Sequence, residues 1–218
     1  MKNIPRIFIG KNIESGNIIP VDKSVAHYLS HVMRRKDCLV FGDSNEYFAI
    51  LNADGKTMTI GEKTGHIDPS NDVTLYFAPI KRLDDMLNMA TQIGVAKLVP
   101  VITERTVANH INWERMKKIV IEASEQSNRN SVPEISIPIN FADLPFLDLV
   151  FADERAAYGR ELLNEYKNIK NVLIGPEGGF SDKEFEMLDK NGAKGMSLGK
   201  TILRAELAAP IAISKVVQ

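Results

Sequence analysis

The most informative segment of the chain is Asn171-Val-Leu-Ile-Gly-Pro-Glu-Gly-Gly-Phe-Ser181. Its aliphatic residues Val172 to Ile174 are typical of a short buried strand. The next five residues include three glycines and a proline, so the strand must end there in a tight turn. Ser181 and Glu184 have the spacing of a capping box, which predicts that a helix begins at this point. In α/β proteins, a bare turn between a strand and a helix is a common place for a small ligand.

A second turn of the same kind follows at Ser197-Leu-Gly-Lys-Thr-Ile-Leu-Arg-Ala-Glu206. Like the first, it places an apolar run before a turn and a helix after it. Two such turns in one short stretch predict two walls of one ligand pocket. The alternative is that both are ordinary strand-to-helix connections, and the spacing alone leaves it open.

The region from Val73 onward alternates between predicted strands and helices. Such alternation is typical of a parallel sheet with helices on both faces. Gly94 is a plausible end for the first of these helices. The predicted strands or extended runs are 73–78, 97–102, 132–139, 149–152 and 172–174, and the predicted helices are 84–93, 113–128 and 161–168.

The region before about Asp72 has a different pattern, with short strands separated by turns rich in Asp and Gly. This pattern predicts a small β-barrel with one helix. The polar stretch 69–72 is the best candidate for a linker, so we expect domains at 1–70 and 73–218. The predicted strands are 6–9, 38–41, 46–52 and 57–62, and the predicted helix is 25–35.

The composition is that of an ordinary globular protein, with 44% hydrophobic and 25% charged residues in 218. No apolar run is long enough for a membrane span, and the N-terminus lacks a signal-peptide core. A single cysteine, Cys38, favours a reducing cytoplasmic compartment. The net charge of −1 argues against non-specific coating of nucleic acid. It leaves open a local RNA contact at Arg34-Arg35-Lys36, for which the alternative is a solvated helix end.

Several familiar motifs are absent. Gly199-Lys200-Thr201 resembles the end of a phosphate-binding loop, but Lys194 stands where that loop needs glycine. His27 and His31 are four residues apart without the glutamate of a zinc-protease helix, so no metal is predicted. A nucleotide-binding α/β protein is therefore the least supported alternative.

Two polar segments are candidates for chemistry. The helix that ends near Arg129 carries hydrogen-bonding side chains, which either cap the helix or face a substrate. Arg204 and Glu206 open the last predicted helix directly after the second turn. A glutamate is routine there, but an arginine lies at the positive end of the helix and suggests an anionic ligand.

The two turns together closely resemble those of the SPOUT methyltransferases, and more narrowly of the family that methylates N3 of a uridine in bacterial 16S ribosomal RNA. The resemblance extends over nearly the whole chain. It includes the N-terminal Pro5–Phe8 and His27–Arg34 and the central motifs at 91–95, 104–105 and 122–129. Four motifs in the family's order make the signal specific.

This resemblance implies a PUA-like RNA-binding β-barrel followed by a trefoil-knotted α/β domain, in a homodimer that acts on ribosomal RNA or the small ribosomal subunit. It implies that S-adenosylmethionine is the methyl donor. Glycine suits such a pocket because backbone can approach the ligand closely. The donor-binding residues implied are Phe151, Asp153, Ile174, Gly175, Pro176, Gly178, Gly179, Leu198, Gly199, Ile202, Leu203 and Ala208.

The same resemblance suggests roles for the polar residues. Glu206 is the candidate general base, and Arg204 and Arg129 are candidates for stabilising negative charge on the uracil. Gln126 is expected to read the base edge. The expected RNA contacts are Arg6, Arg34, Arg35, Lys36 and Arg105.

The chain also departs from the family's pattern. Thr201 stands where the family usually has arginine, and Leu207 stands where it usually has threonine. The stretch from Lys36 to Asp43 is longer than usual. Because of these differences, two alternative functions stay open: a SPOUT methyltransferase that acts on another RNA site, and an RNA-binding relative that has lost activity.

Overall fold

The structure is a computed structural model that describes residues 4–10, 13–42, 44–68, 72–106, 111–162, 166 and 168–217. The chain forms two compact units. Unit 1 comprises 1–70 and 124–132, and unit 2 comprises 71–123 and 133–218. Apart from Asp72, the predicted linker at 69–72 lies outside the described residues. Within the described part of the chain, no helix is long and apolar enough to cross a membrane.

Unit 1 contains a five-stranded sheet in the order β1-β3-β4-β5-β2. The pairing of β1 with β3 is parallel, and the other pairs are antiparallel. Buried side chains alternate along β5 and at the end of β4, as expected for strands with one face against a core, and a register shift between Tyr47 and Ala49 interrupts the alternation in β4. The strands are β1 (Arg6–Phe8), β2 (Ile18–Pro20), β3 (Asp37–Gly42), β4 (Asn45–Leu51) and β5 (Thr57–Lys63).

The helix predicted at 25–35 is correct in place but not in form. A short α-helix, α1 (Lys23–His27), begins two residues earlier and widens into a π-helical turn at Tyr28–Val32. We call this segment the π turn. Leu29 is fully buried and anchors it in the core of unit 1. The backbone of Arg34 then adopts a left-handed conformation, with φ of 53°, and ends the segment.

Unit 2 is built on a parallel sheet in the order β12-β10-β11-β6-β7-β8, with β9 also beside β7. Every pairing is parallel, which confirms the prediction. The extended run predicted at 132–139 divides into β8 and β9. The strands are β6 (Thr74–Phe77), β7 (Lys97–Ile102), β8 (Glu134–Ile135), β9 (Ile139–Asn140), β10 (Leu149–Ala152), β11 (Asn171–Ile174) and β12 (Lys194–Met196).

Most of the predicted helices are present. The left-handed Gly94, with φ of 109°, ends the first helix of the unit as predicted. Ser181 and Glu184 make both hydrogen bonds of the capping box. The helix predicted at 161–168 is not seen at the described residues there, and 163–165 and 167 lie outside them. The helices are α2 (Leu83–Ile93), α3 (Trp113–Gln126), α4 (Asp182–Lys190) and α5 (Ala205–Val216).

The strand order determines where unit 2 can bind a ligand. β11 inserts between β6 and β10, although both come earlier in the chain. Because the strands are parallel, the loops that follow β6, β10, β11 and β12 emerge at the same edge of the sheet. That edge is where open α/β sheets bind their ligands.

Candidate functional site

A cavity of about 430 Å³ lies at this edge of unit 2. Its walls are the loops after β6, β10, β11 and β12, together with the first turns of α5. The two turns that the sequence singled out thus contribute to one cavity. The structure brings ten of the predicted donor-binding residues into its lining: Asp153, Ile174, Gly175, Pro176, Gly179, Leu198, Gly199, Ile202, Leu203 and Ala208.

The two other predicted donor-binding residues lie behind this wall. Phe151 is fully buried in β10, and its ring packs edge-on against that of Phe180 at 6.2 Å between centroids. Gly178 faces the side chain of Arg105, whose Nη1 donates to the carbonyls of Gly178 and Phe180 at 3.0 and 3.1 Å. Both residues support the turn without lining the cavity.

Two glycines of the first turn allow close packing at the cavity. A Cβ on Gly175 would lie 3.0 Å from the Phe180 ring. Gly179 has φ of 67°, and a Cβ there would lie 2.5 Å from Oε1 of Glu154. Glycine at these positions lets the backbone border the cavity directly.

A buried ion-pair cluster supports the wall that follows β10. The Asp153 side chain is fully buried and accepts from Nε and Nη2 of Arg155, both at 2.8 Å. Arg155 also donates to Asp189 on α4 and lies 4.0 Å over the Phe185 ring. Burial disfavours the charge on Arg155, but its hydrogen bonds to Asp153 and Asp189 outweigh this effect and raise its pKa. The arginine thus joins the cavity wall to α4.

The proposed catalytic residues Arg204 and Glu206 both line the cavity. The Glu206 side chain is only 9% exposed, and its Oε1 accepts from Nη1 of Arg82 at 3.2 Å. Arg82 also pairs with Asp85 in the first turn of α2. The Glu206 carboxylate is therefore oriented by a cation from the loop after β6.

The sequence reasoning missed the contribution of that loop. Lys81 and Arg82 line the cavity, and Lys81 N donates to Oε1 of Glu177 at 2.8 Å. Their position could have been predicted, because Lys81 and Arg82 follow the strand predicted at 73–78, and the carboxyl end of that strand lies at the same edge of the sheet. Among the described residues, no group of three His, Cys, Asp or Glu side chains is placed to hold a metal ion.

The structure does not bring Gln126 and Arg129 into the lining of this cavity. Both belong to unit 1. Gln126 is exposed, whereas Arg129 is half-buried and its Nη2 donates to Oγ of Ser131 at 3.1 Å. Burial lowers the pKa of Arg129, and the nearby charge of Asp68 opposes that effect.

Arg6 is not available as the RNA contact that the sequence suggested. Its Nε donates to Glu46 at 2.8 Å, and its two terminal nitrogens donate to four oxygens of residues 124–130. All five N–H groups of its guanidinium have protein partners, and its side chain is only 7% exposed. Arg6 therefore joins β1 to residues 124–130 within unit 1, which corrects its assignment.

The other predicted RNA contacts have different surroundings. Arg34 and Lys36 are exposed, and Arg35 forms an ion pair with Asp37. Arg105 is exposed and holds the first glycine turn, as described above. Arg34 and Lys36 thus present their charges to solvent, whereas the guanidinium of Arg105 has a structural role.

The chain matches the family model described as an RNA methyltransferase domain over residues 68–217. It is 34% identical to the Ribosomal RNA small subunit methyltransferase E of Rickettsia conorii, over 97% of this chain and 94% of the relative. The relative of the same name from Buchnera aphidicola subsp. Schizaphis graminum is 30% identical, over 98% and 95% of the two chains.

Two solved structures share the fold. The Ribosomal RNA small subunit methyltransferase E of Neisseria gonorrhoeae, bound to S-adenosyl methionine, superposes with a TM-score of 0.85 at 24% identity, over 97% of this chain and 96% of that one. A probable rRNA-methyltransferase from Porphyromonas gingivalis gives a TM-score of 0.79 at 27% identity, over 96% and 95%.

These matches place the chain in a class of enzymes, the RNA methyltransferases. Within that class, it belongs to the family of Ribosomal RNA small subunit methyltransferase E.

Proposed function

We propose that the protein transfers a methyl group from S-adenosylmethionine to N3 of a uridine in the 16S RNA of the small ribosomal subunit. The observation that carries the proposal is the cavity formed by four loops at one edge of the parallel sheet. Relatives that bear the small-subunit methyltransferase name support the RNA substrate. A relative of the same fold that is bound to S-adenosyl methionine supports the donor.

The residues present fit this donor. The cavity is within the range of small-ligand pockets, and its lining combines aliphatic side chains with bare glycine backbone. Gly175 and Gly179 offer bare backbone and Leu203 an aliphatic side chain to the ligand, and Glu206 places a carboxylate at the wall of the cavity. When bound, the donor supplies a methyl group on a sulfonium sulfur, so this transfer needs the reacting atoms aligned in line.

The chain's residues must handle the proton and the charge of the uracil. As N3 accepts the methyl group it loses its proton, and we propose that Glu206 accepts that proton. Arg204 stabilises the negative charge that develops on the uracil oxygens. Two predicted roles outside the cavity lining stay proposals: Arg129 would also stabilise charge on the uracil, and Gln126 would read the base edge. Because N3 lies on the pairing edge, the target base must be unpaired or flipped when it reacts.

We further propose the architecture that the resemblance implies. Unit 1 is then a PUA-like RNA-binding barrel, and unit 2 carries a trefoil knot. The insertion of β11 between β6 and β10 supports the knot, because the chain returns between strands that it has already laid down. The protein acts as a homodimer in the cytoplasm.

Two experiments test the proposal. Titration calorimetry tests whether the purified protein binds S-adenosylmethionine, and the absence of binding at millimolar donor would contradict the donor assignment. Nucleoside analysis of ribosomal RNA from a deletion strain tests the target, because the proposal requires that N3-methyluridine be lost from 16S RNA. If the N3-methyluridine content of 16S RNA is unchanged in the deletion strain, the remaining interpretation is a methyltransferase that acts on another RNA site.

One observation favours an inactive RNA-binding relative as the second candidate. Thr201 lines the cavity at a position where the resembling family usually has arginine. An intact cavity that binds donor without any transfer to ribosomal RNA would support this second candidate.

A further inference from the structure

The π turn of unit 1 carries an unusual exposed pair of histidines. The rings of His27 and His31 stack with their centroids 4.6 Å apart and their planes at 17°. Both residues are exposed, as are their neighbours Tyr28 and Val32. The backbone at this point is π-helical, a conformation that is rare and is frequently found at functional sites.

The π turn and the residues that follow it carry only positive charge. Residues 27–36 contain Arg34, Arg35 and Lys36 and no aspartate or glutamate. Arg35 is paired with Asp37, which leaves Arg34 and Lys36 exposed on either side of it. The cationic side chains therefore lie within a few residues of the exposed rings.

The backbone that ends the π turn is strained. Arg34 has φ of 53°, in the left-handed region that favours glycine. The turn is closed by the N–H of Arg35, which donates to the carbonyl of Leu29 at 2.9 Å. A glycine would satisfy this geometry at lower cost, so the presence of arginine calls for a reason outside local folding.

We propose that the π turn is a binding site for an unpaired stretch of RNA. A base stacks on the exposed face of the histidine pair, and Arg34 and Lys36 contact the flanking phosphates. Flat rings beside cations are the combination that recognises single strands, because every base has a face for stacking and every nucleotide carries a charge. This inference rests on the proposed function, which supplies the RNA substrate, and it adds a site at which unit 1 binds that RNA.

The test measures binding of a fluorescein-labelled oligouridylate of about 12 nucleotides to the full-length protein. The double variant His27→Ala/His31→Ala is expected to bind at least about fivefold more weakly, as stacking on one base contributes roughly that much or more. The variant His27→Phe/His31→Phe is expected to restore binding, because stacking needs an aromatic face and not an imidazole. Phe48→Ala, which removes another exposed aromatic ring of unit 1, is the matched control and is expected to bind like wild type.

The cations are tested by salt dependence. Arg34→Gly and Lys36→Gln should each reduce the slope of log affinity against log salt by about 0.7. Arg34→Gly is informative because it relaxes the strained backbone while removing the charge, so weaker binding cannot be attributed to a damaged fold. An RNA duplex of the same length, whose bases are not free to stack on the rings, should bind the two histidine double variants like the wild type.

Three results would overturn the proposal: wild-type affinity in the double alanine variant, an equal loss in Phe48→Ala, or failure of the phenylalanines to restore binding. Unchanged oligouridylate binding with weaker binding to small subunits would instead indicate a protein partner. Donor binding by calorimetry is measured on every variant. Its absence throughout would count against the proposed function, whereas its presence with RNA binding that is insensitive to the histidines would count only against this site.

Discussion

Nη1 of Arg82 lies 3.2 Å from Oε1 of Glu206, which joins the loop after β6 to the first turn of α5 at the wall of the cavity. The two side chains differ in exposure, with Arg82 at 59% and Glu206 at 9%. The carboxylate is thus shielded and oriented, while the guanidinium remains open to solvent. This arrangement suits a residue that acts on the substrate and a partner that positions it.

If Glu206 accepts the uracil proton, then Glu206→Gln should lower kcat by about 100-fold or more while donor affinity stays within a factor of two. Steady-state methylation of small subunits, combined with donor titration, measures both quantities. Full activity in Glu206→Gln would exclude this residue as the base.

Arg82→Gln should lower kcat by about tenfold, because it removes a charge-assisted hydrogen bond that orients Glu206. Asp85→Asn is the matched control. It removes the other carboxylate partner of Arg82, but that ion pair is exposed and Asp85 does not line the cavity. Equal losses in the two variants would show that Arg82 acts through its ion pair with Asp85 and not through Glu206.

The first glycine turn offers a comparison between two nearby positions. Gly175→Ala places a methyl group 3.0 Å from the Phe180 ring at the cavity wall and should weaken donor binding by about tenfold. Gly178→Ala meets only Arg105, at 3.6 Å, and should change donor affinity by less than about twofold. Calorimetry with S-adenosylmethionine measures the donor affinity of each variant. Similar affinities would show that the wall at Gly175 can shift to accommodate a methyl group.

Arg155 should be important for stability. Arg155→Gln leaves the carboxylate of Asp153, whose side chain is fully buried, without its main partner. We expect the free energy of unfolding in urea to fall by about 3 kcal/mol or more. Arg160→Gln is the control, because Arg160 is 39% exposed and lies 3.9 Å from Asp153, and its loss should cost less than about 1 kcal/mol.

The single cysteine should produce a pH dependence of stability. Burial raises the pKa of Cys38 to about 12 from its ordinary value of 9.0. The folded state therefore binds the thiol proton more tightly than the unfolded state does. The stabilisation is complete below pH 9 and is lost as the pH rises toward 12. Unfolding in urea between pH 8 and 11 should show a steeper decline for the wild type than for Cys38→Ala, and parallel curves would contradict this expectation.

The strand, turn and helix at 171–190 could be predicted from the sequence because their signals are local. The aliphatic run, the glycines and the capping box are all read within a few residues, and each appears in the structure. The same local signals predicted that the two turns form one pocket, and both turns line the same cavity.

Other features could not be predicted from local patterns, because they depend on contacts between residues that are far apart in the sequence. Arg6 resembles a basic surface residue until its bonds to residues 124–130 are seen, more than 110 positions away. The strand before Arg82 indicates that it lies at this edge of the sheet, but its hydrogen bond to Glu206 joins residues 124 positions apart. The strands β2 and β12 have three residues each and contain Pro20 and Gly195, so they carry no apolar periodicity.

Methyl transfer to N3 of uridine can be followed by incubating the purified protein with deuteromethyl-labelled S-adenosylmethionine and small ribosomal subunits from a deletion strain. Mass spectrometry of the nucleosides then locates the label. We predict one labelled N3-methyluridine per 16S RNA with the wild type, and none with Glu206→Gln over the same single-turnover time. Label on another atom or another RNA, or no label despite donor binding, would contradict it.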